Sequence, residues 1–327
     1  MDASIVIPVK NGGELFERVL EALKGQVTEY SYEIICVDSG SKDGSVEVAQ
    51  RYGCKVKEIP SEEFGHGKTR NLGASLGNGD FIIFLTQDAL PANENWLQSF
   101  LDAMKLDDGI AGGFGKHLPY PDCNLPDQQM LENHFARYGN ENFVHYLDEE
   151  HRQMYEKDEQ GYQQYLAFFS DNCSCLRRSV WEKIPYDDVD YAEDQIWSKK
   201  ILEAGYKKVY CPNAAVYHSH DYPLSSYGKR YYDDFKAVYR VYDNIPKRPV
   251  LEVVRQVLAD TKYQCGYICR RSDLSIGEKF HWCFYSFRRN LKRQRASQLA
   301  IKYYQVDKKQ KIEMDKKYSQ QYSQIRS

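Results

Sequence analysis

The first 85 residues alternate short apolar runs with amphipathic segments. Each apolar run has the length of a strand that is buried on both faces of a parallel sheet. The segments between the runs have helical spacing, as at Leu15, Val19 and Leu23. This alternation predicts an α/β fold with a Rossmann-like, mostly parallel sheet flanked by helices. The predicted strands are residues 4–9, 33–37, 55–59 and 80–85, and the predicted helices are residues 14–23, 45–51 and 69–76.

The pattern changes twice farther along the chain. Between residues 116 and 165 it loosens into a polar, aromatic-rich insertion. Order resumes with predicted strands at 172–176 and 208–210, on either side of a predicted helix at 193–204. Beyond Pro223 the alternation stops and helical spacing takes over. We therefore predict an α/β domain over residues 1–224, which includes the 116–165 insertion, and a helical C-terminal region over residues 225–327.

Composition restricts the class of protein. Hydrophobic residues make up 42% of the 327 residues, which is enough for a large core. Mean hydropathy is −0.68, and no run approaches the roughly 20 apolar residues that a membrane-spanning helix needs. The N-terminus has no basic segment followed by an apolar stretch, so we expect a cytoplasmic protein. The nine cysteines lack the spacing of a disulfide framework or a zinc site, and we expect reduced thiols.

The C-terminal region is basic and rich in aromatic residues. From Thr261 to the end it carries 16 Lys and Arg against 5 Asp and Glu, although the whole chain has a net charge of −3. The segment HWCFYSFRRNLKRQR, residues 281–295, combines both features. It is compatible with docking on an anionic membrane, with an aromatic helical core whose cations are solvated, or with a homo-oligomer interface. Nucleic acid binding is disfavoured because no recognised binding motif accompanies the charge.

Two polar loops follow predicted strands directly. VDSGSKDGS, residues 37–45, begins with Asp38, and its glycines permit tight backbone turns. TQDA, residues 86–89, places Asp88 after a buried strand, where a carboxylate can hold a divalent cation against a diphosphate. In open α/β sheets ligands bind beyond the carboxyl ends of the strands. Each loop taken alone is equally compatible with an ordinary turn or helix cap.

A third acidic segment is YAEDQIW, residues 191–197. Glu193 and Asp194 stand at the start of a predicted helix, where the helix dipole favours negative charge. They are therefore compatible with a simple capping role. The functional alternative is that one of them is a general base that removes a proton from an attacking hydroxyl.

Two further motifs carry cations or imidazoles. GHGKTRN, residues 65–71, presents Lys68 and Arg70 ahead of a helix, as in sites that contact phosphate, but it lacks the spacing of a P-loop. HSH follows a predicted strand and presents His218 and His220. A single histidine is usually structural, whereas two of them separated by one residue favour contact with a metal or a phosphate.

The order of these motifs resembles the family 2 glycosyltransferases with a GT-A fold. The resemblance spans residues 3–222, and it is greatest to the rhamnosyltransferase branch, which builds bacterial surface polysaccharides. It implies an α/β GT-A domain followed by a helical C-terminal appendage. The motifs that carry it are SIVIPVKN, VDSGSKDGS, RNLGA, GDFIIFLTQDA, AEDQIW and HSH.

The resemblance implies contacts with a nucleotide-sugar. Pro8, Val9 and Asn11 would line the nucleotide pocket, and Asp38 would pair with the pyrimidine base. Arg70 would lie near the base and ribose or the phosphates, with Lys68 as a secondary candidate.

The resemblance also implies a metal site and a catalytic pair. The DxD motif of the family corresponds to Thr86-Gln87-Asp88, so Asp88 alone would bind Mn²⁺ or Mg²⁺ directly while Gln87 contacts the nucleotide-sugar. His218 would be a second metal ligand and His220 its substitute. Asp194 would be the base, with Glu193 positioning sugar or acceptor. Trp197 is a secondary candidate in the same motif.

The implied reaction is a single displacement that inverts the anomeric carbon. Asp194 would deprotonate an acceptor hydroxyl as its oxygen attacks the sugar and the nucleoside diphosphate leaves. The implied donor is dTDP-β-L-rhamnose, with UDP-sugars as the alternative. The implied acceptor is a glycan or a lipid-linked saccharide at the inner face of the cell membrane, and residues 116–165 are the segment expected to contact it.

Three other functions are compatible with an α/β sheet of this kind. A nucleotidyltransferase is disfavoured because PVKNGG replaces the long Gly-rich GxGTR-type loop after the first strand. A nicotinamide-dependent dehydrogenase is excluded by the absence of GxGxxG at that place. A non-catalytic carbohydrate-binding or scaffold protein remains the alternative, since the first acid of the DxD motif is replaced by Thr86.

Overall fold

The computed structural model describes residues 1–158, 161–189, 191–220, 222–246 and 248–322. The chain forms two compact units. The first unit comprises Met1–Tyr120 and His134–His218, and the second comprises Pro121–Asn133 and Ser219–Ser327. The predicted domain boundary at residues 224 and 225 therefore falls inside the second unit.

The first unit is built on a nine-stranded sheet, counted over the described residues. The strands are β1 (Ala3–Val9), β2 (Tyr32–Asp38), β3 (Lys55–Glu58), β4 (Phe81–Leu85), β5 (Leu90–Pro91), β6 (Ile110–Leu118), β7 (Phe143–His145), β8 (Cys173–Arg177) and β9 (Lys207–Tyr217). Their order is β3-β2-β1-β4-β8-β6-β9-β5, and β7 pairs with β9 outside this path.

One half of the sheet is parallel and the other half is mixed. β3, β2, β1 and β4 are parallel neighbours, as the sequence predicted. β8 runs antiparallel to both β4 and β6, which makes the sheet as a whole mixed. In the β4–β8 register Leu85, the last residue of β4, lies opposite Cys173, the first residue of β8. Residues just before β8 therefore lie at the same edge as residues just after β4.

Helices cover this sheet, so the α/β architecture is confirmed. The helices predicted at 14–23, 45–51, 69–76 and 193–204 are all present, whereas α4 and the strand β6 were not predicted. The predicted insertion contains the end of β6, α5, β7, α6 and most of α7. The helices before the C-terminal region are α1 (Gly13–Lys24), α2 (Ser45–Arg51), α3 (His66–Leu76), α4 (Trp96–Met104), α5 (Leu125–Ala136), α6 (Glu149–Glu156), α7 (Tyr162–Ala167), α8 (Arg178–Trp181) and α9 (Glu193–Glu203).

The core of the first unit lies between the sheet and α1 and α4. Phe16 and Leu20 of α1 and Trp96 and Phe100 of α4 are completely buried against the strands. Burial of each such side chain contributes about 1.5–3 kcal/mol to folding. β1, β2 and β4 contribute to this core the continuous apolar runs by which they were predicted. Because these strands are buried, the loops that follow them start from fixed positions.

The second unit is dominated by four long helices. They are α10 (Leu224–Val241), α11 (Val250–Arg270), α12 (Ile276–Tyr303) and α13 (Lys308–Tyr318). A capping box formed by Ser275 and Glu278 begins α12. None of the helices in the described part of the chain combines the length and the apolar character needed to cross a bilayer.

A buried polar network crosses the second unit. Arg289 of α12 is 1% exposed and pairs with the carboxylate of Asp127. The Tyr227 hydroxyl donates to the same carboxylate, and Asn124 Nδ2 donates to Asp127 Oδ2 at 2.7 Å. Arg289 also lies over the Tyr227 ring, 5.1 Å from its centroid. This cation of the 281–295 segment therefore belongs to the interior of the unit and not to a solvated face.

Candidate active site

Three loops at the carboxyl edge of the parallel strands are tied together by hydrogen bonds. Asn11, after β1, has a left-handed φ of 48°, and its Oδ1 accepts from the Lys42 N–H at 2.8 Å. The Asn11 N–H donates to the Ser41 hydroxyl at 2.8 Å. Gln87, after β4, accepts from the Lys10 N–H at 2.8 Å and donates to the Lys10 carbonyl at 3.1 Å. The loops after β1, β2 and β4 are therefore fixed relative to one another.

Asp38 shapes the loop that follows β2. It is 2% exposed, and its Oδ1 accepts from the N–H groups of Gly40 and Ser41, both at 2.9 Å. The Ser41 hydroxyl donates to the other carboxylate oxygen. Pro8 and Val9 end the neighbouring strand β1. The predicted contacts of Pro8, Val9 and Asp38 with a nucleotide stay predictions; the observed role of the Asp38 carboxylate is to hold its own loop.

Asp88 and His218 form a pair with the chemistry of a metal site. Asp88 Oδ1 lies 3.6 Å from His218 Nε2, and the Asp88 side chain is 29% exposed. Asn172 Nδ2 lies 3.3 Å from the other ring nitrogen of His218. His220 follows two residues later, in the second unit.

A divalent cation fits this pair. A carboxylate oxygen and an imidazole nitrogen that bind one ion at about 2.1 Å stand roughly 3–3.5 Å apart, close to the observed separation. The Tyr120 hydroxyl donates to the Asp88 carbonyl at 3.0 Å and thereby fixes the loop after β4. The two predicted ligands, 130 residues apart in the sequence, therefore lie together.

Three carboxylates lie close together near Arg70 of α3, and two of them contact its guanidinium. Arg70 Nη1 donates to Glu193 Oε1 at 2.6 Å, and Arg70 Nε lies 3.2 Å from Asp171 Oδ2. The backbone N–H of Asp171 donates to Asp194 Oδ2 at 3.2 Å. Arg70, Asp171 and Glu193 are buried, whereas Asp194 is partly exposed. Asp194 is therefore the least enclosed of the three acidic residues.

Burial and mutual repulsion set the protonation of this cluster. Desolvation raises the pKa of Asp194 well above its ordinary value, and the negative charges of Asp171 and Glu193 add to the effect. Desolvation also raises the pKa of Asp171 to about 6, although Arg70 favours the ionised form. Three carboxylates around one guanidinium thus retain a proton at a pH where an exposed aspartate has lost it.

The substitution Asp171→Asn tests this protonation. Because the native pKa of about 6 lies above the ordinary value of 3.8, native Asp171 holds a proton that the unfolded chain releases between these values. The stabilisation due to Asp171 is therefore complete below about pH 4 and is lost as the pH rises through about 6. We expect the substitution to cost more free energy of unfolding at about pH 5 than at about pH 7.5, measured by urea denaturation. An equal cost at both pH values would contradict the assignment.

Two consecutive residues join the metal pair to the carboxylate cluster. Asp171 contacts Arg70 and Asp194, while Asn172 contacts His218. They precede β8 and so lie at the carboxyl edge of β4. Sequence reasoning missed Asp171; the available signal was a Ser-Asp-Asn triplet between the apolar runs LAFF and CSCL.

The remaining predicted residues have mainly structural surroundings. The Arg70 guanidinium contacts the carboxylates of Asp171 and Glu193, and its predicted place near the nucleotide stays a prediction. Trp197 is 1% exposed, donates from Nε1 to the Ile184 carbonyl at 2.7 Å, and packs in the core. Lys68 is exposed on α3. Gly67 allows α3 to approach its neighbour, since a Cβ there would lie 2.3 Å from the Asp187 carbonyl oxygen.

The chain is similar to proteins of known function, which bears on the role of the loops at the carboxyl edge of the parallel strands. The family described as Glycosyl transferase family 2 matches residues 4–184, more than half of the chain. The O-antigen chain rhamnosyltransferase RfbN of Salmonella typhimurium is 34% identical over 237 residues, which cover 71% of each chain. The O-antigen chain rhamnosyltransferase WbaN of Salmonella anatum is 31% identical over 235 residues, which cover 70% of each chain.

A solved structure supports the fold. The mannosyltransferase PcManGT from Pyrobaculum calidifontis, solved in complex with GDP-Man and Mn²⁺, superposes with a TM-score of 0.56. The match has 14% sequence identity and covers 94% of this chain and 87% of that chain. At this identity the likeness concerns the fold, and it agrees with the GT-A architecture that the sequence predicted.

Proposed function

The chain belongs to glycosyl transferase family 2, and from this we propose that it is an inverting glycosyltransferase that uses a divalent cation. It moves a sugar from a nucleoside diphosphate to a hydroxyl of a saccharide. The observation that carries the proposal is the junction at Asp171 and Asn172. There one residue contacts the Asp194 cluster and the next contacts the Asp88–His218 pair, so a base and a diphosphate-binding cation can serve one substrate.

Asp194 is the general base in this proposal. It is partly exposed, whereas Glu193 and Asp171 are buried. The Asp194 oxygens accept hydrogen bonds from the backbone N–H groups of Gln195 and Asp171. Arg70 instead forms ion pairs with Glu193 and Asp171. A carboxylate whose pKa is raised binds a proton more strongly once ionised, which favours removal of the acceptor proton. Glu193, Asp171 and Arg70 then act as positioning residues that hold Asp194 at the start of α9.

Asp88 and His218 would hold the cation, with His220 as the substitute for His218. The bound cation supplies neutralisation of the charge that develops on the leaving diphosphate. Gln87 is held against Lys10 and keeps the loop that carries Asp88 close to the loop after β1. The same loops, with Pro8, Val9, Asn11 and Asp38, form the nucleotide pocket of the proposal.

The proposed donor is dTDP-β-L-rhamnose, which yields an α-L-rhamnoside by inversion. Two relatives that are 34% and 31% identical to this chain, over 71% and 70% of its length, are named O-antigen chain rhamnosyltransferases. Their names also support a saccharide acceptor in bacterial surface polysaccharide synthesis, which we place in the cytoplasm at the inner face of the membrane. A UDP-sugar is the alternative donor.

Release of nucleoside diphosphate tests the proposal. The protein is incubated with a mixture of saccharide acceptors and with dTDP-rhamnose or, in parallel, UDP-sugars, each with and without Mn²⁺ or Mg²⁺. We expect dTDP to be released from dTDP-rhamnose in a metal-dependent manner. Release of UDP alone would show that the donor is a UDP-sugar. Release of pyrophosphate from a nucleoside triphosphate would indicate a nucleotidyltransferase. No release from any donor would indicate a non-catalytic protein.

A further inference from the structure

The second unit leaves two apolar stripes uncovered, one on each helix of a hairpin. On α11 the exposed residues recur at intervals of three or four, so they share one face. On α12 the intervals are four, four and seven, which also keeps the residues on one face. Ile276 and Phe280 are 88% and 76% exposed, far more than large apolar side chains on an ordinary surface. The stripe on α11 is Val250, Leu251, Val254 and Leu258, and the stripe on α12 is Ile276, Phe280, Phe284 and Leu291.

The two stripes lie on one side of the hairpin. Asn290 of α12 donates to Thr261 and Gln264 of α11, which identifies the faces by which the helices pack on each other. Viewed along each helix from its N-terminus, the stripe is rotated clockwise from this packing face. Leu258 is rotated in this way from Thr261, and Leu291 from Asn290. Because the helices run antiparallel, an equal sense of displacement brings both stripes to the same side.

Positive charge accompanies the stripes. Residues 250–303 contain eleven Lys and Arg against four Asp and Glu. Asp260 and Asp273 pair with Arg293 and Arg271, so the remaining cations exceed the acidic groups available to neutralise them. Arg288 extends over the ring of Phe284, 5.8 Å from its centroid, and so presents its charge beside an exposed aromatic side chain.

A cavity of about 680 Å³ opens beside the hairpin and carries the same sign of charge. Arg248, Arg295 and Lys302 line it together with apolar side chains that include Ile245 and Leu299. No carboxylate is among the described residues that line it. Arg248 is oriented by a hydrogen bond of 3.1 Å to Gln294. Three cations and no carboxylate among the described lining residues, next to apolar walls, suit a phosphate that is attached to a hydrocarbon chain.

We propose that the α11–α12 hairpin docks on an anionic lipid bilayer, with both apolar stripes in the headgroup region and a lipid phosphate in the cavity lined by Arg248, Arg295 and Lys302. Apolar side chains on one face and cations around them are the two contributions that hold an interfacial helix on a bilayer. The inference rests on the proposed membrane contact of the enzyme and names the surface that makes it.

Binding to vesicles tests the inference without any sugar transfer, so its failure would leave the transferase proposal standing. The full chain is sedimented with phosphatidylcholine vesicles that do or do not contain phosphatidylglycerol. We expect binding at least about 10-fold tighter when phosphatidylglycerol is present. Phe280→Ser combined with Phe284→Ser should abolish most of the binding. Arg248→Gln combined with Lys302→Gln should weaken binding to phosphatidylglycerol by about 5-fold for each cation removed.

A matched control replaces exposed apolar residues of the first unit. Val27→Ser combined with Leu106→Ser removes side chains that are 57% and 59% exposed, and we expect unchanged vesicle binding. Equal binding of wild type to both kinds of vesicle, or no binding, would overturn the proposal. Concentration-dependent self-association in analytical ultracentrifugation that the Phe280→Ser, Phe284→Ser variant abolishes, without vesicle binding by wild type, would assign the face to a second copy of the chain instead.

Discussion

Asp194→Asn is expected to lower the rate of sugar transfer by about 10²–10⁴-fold while donor binding stays within about 2-fold of wild type. The substitution keeps the shape of the side chain but removes the oxygen that accepts the acceptor proton. Asp194 is the partly exposed residue of its cluster. Glu193 and Asp171 are buried and pair with Arg70, so we expect neither of them to replace it. The measurement is nucleoside diphosphate release at saturating donor, together with donor affinity by calorimetry.

A surface carboxylate near the same segment is the control for this prediction. Asp187 pairs with Lys200 at 2.5 Å, and its side chain is 39% exposed. Asp187→Asn should leave the transfer rate within about 2-fold of wild type, as expected of an exposed ion pair. Wild-type turnover in Asp194→Asn would exclude Asp194 as the base.

The pH dependence of transfer gives an independent view of the same group. Because burial and neighbouring charges raise the pKa of Asp194, its base form accumulates only as the pH rises above the range of an ordinary aspartate. The rate should therefore climb with pH through this raised pKa and then level off.

Asp88→Ala is the second substitution with a large expected effect. Loss of the carboxylate removes one of two ligands that stand 3.6 Å apart, so metal-dependent release of nucleoside diphosphate should fall by at least about 100-fold. His218→Ala should shift the Mn²⁺ concentration for half-maximal rate upward by about 10–100-fold. The measurement is a titration of the rate with Mn²⁺ after removal of metal by a chelator.

Another Asp–His pair in the first unit serves as the matched control. Asp148 Oδ1 lies 2.6 Å from His151 Nδ1, and both side chains are more than a third exposed. Asp148→Ala should leave the Mn²⁺ midpoint unchanged. If Asp88→Ala and Asp148→Ala titrate alike, the metal site lies elsewhere or the reaction needs no metal.

The sequence predicted the parallel half of the sheet because local pattern determines it. Strands buried on both faces must be continuous apolar runs, and β1, β2 and β4 are such runs. The pattern did not predict β6, whose sequence IAGGFGKHL has three glycines. Tertiary contacts favour glycine at these positions. A Cβ at Gly115, for example, would lie 2.1 Å from the Ala214 carbonyl oxygen.

Site residues that follow a predicted strand could be predicted from the sequence. A residue whose place at the site depends on the direction of a neighbouring strand could not. Asp88 lies in the loop after β4, and His218 directly follows β9. The structure brings these two residues together. Asp171 precedes β8, and its place at the site follows only from the antiparallel pairing of β8 with β4. The sequence does not show that Arg70 contacts two carboxylates from distant segments, because those contacts depend on the tertiary fold.

The most direct test of the central claim is the position of Mn²⁺ in a crystal grown with dTDP and Mn²⁺, located by anomalous scattering. We expect the ion between Asp88 and His218, about 2–2.3 Å from a carboxylate oxygen and a ring nitrogen, with the diphosphate on the side that Asp194 faces. An ion bound away from Asp88, or a diphosphate that lies on the far side of the sheet from Asp194, would contradict the account.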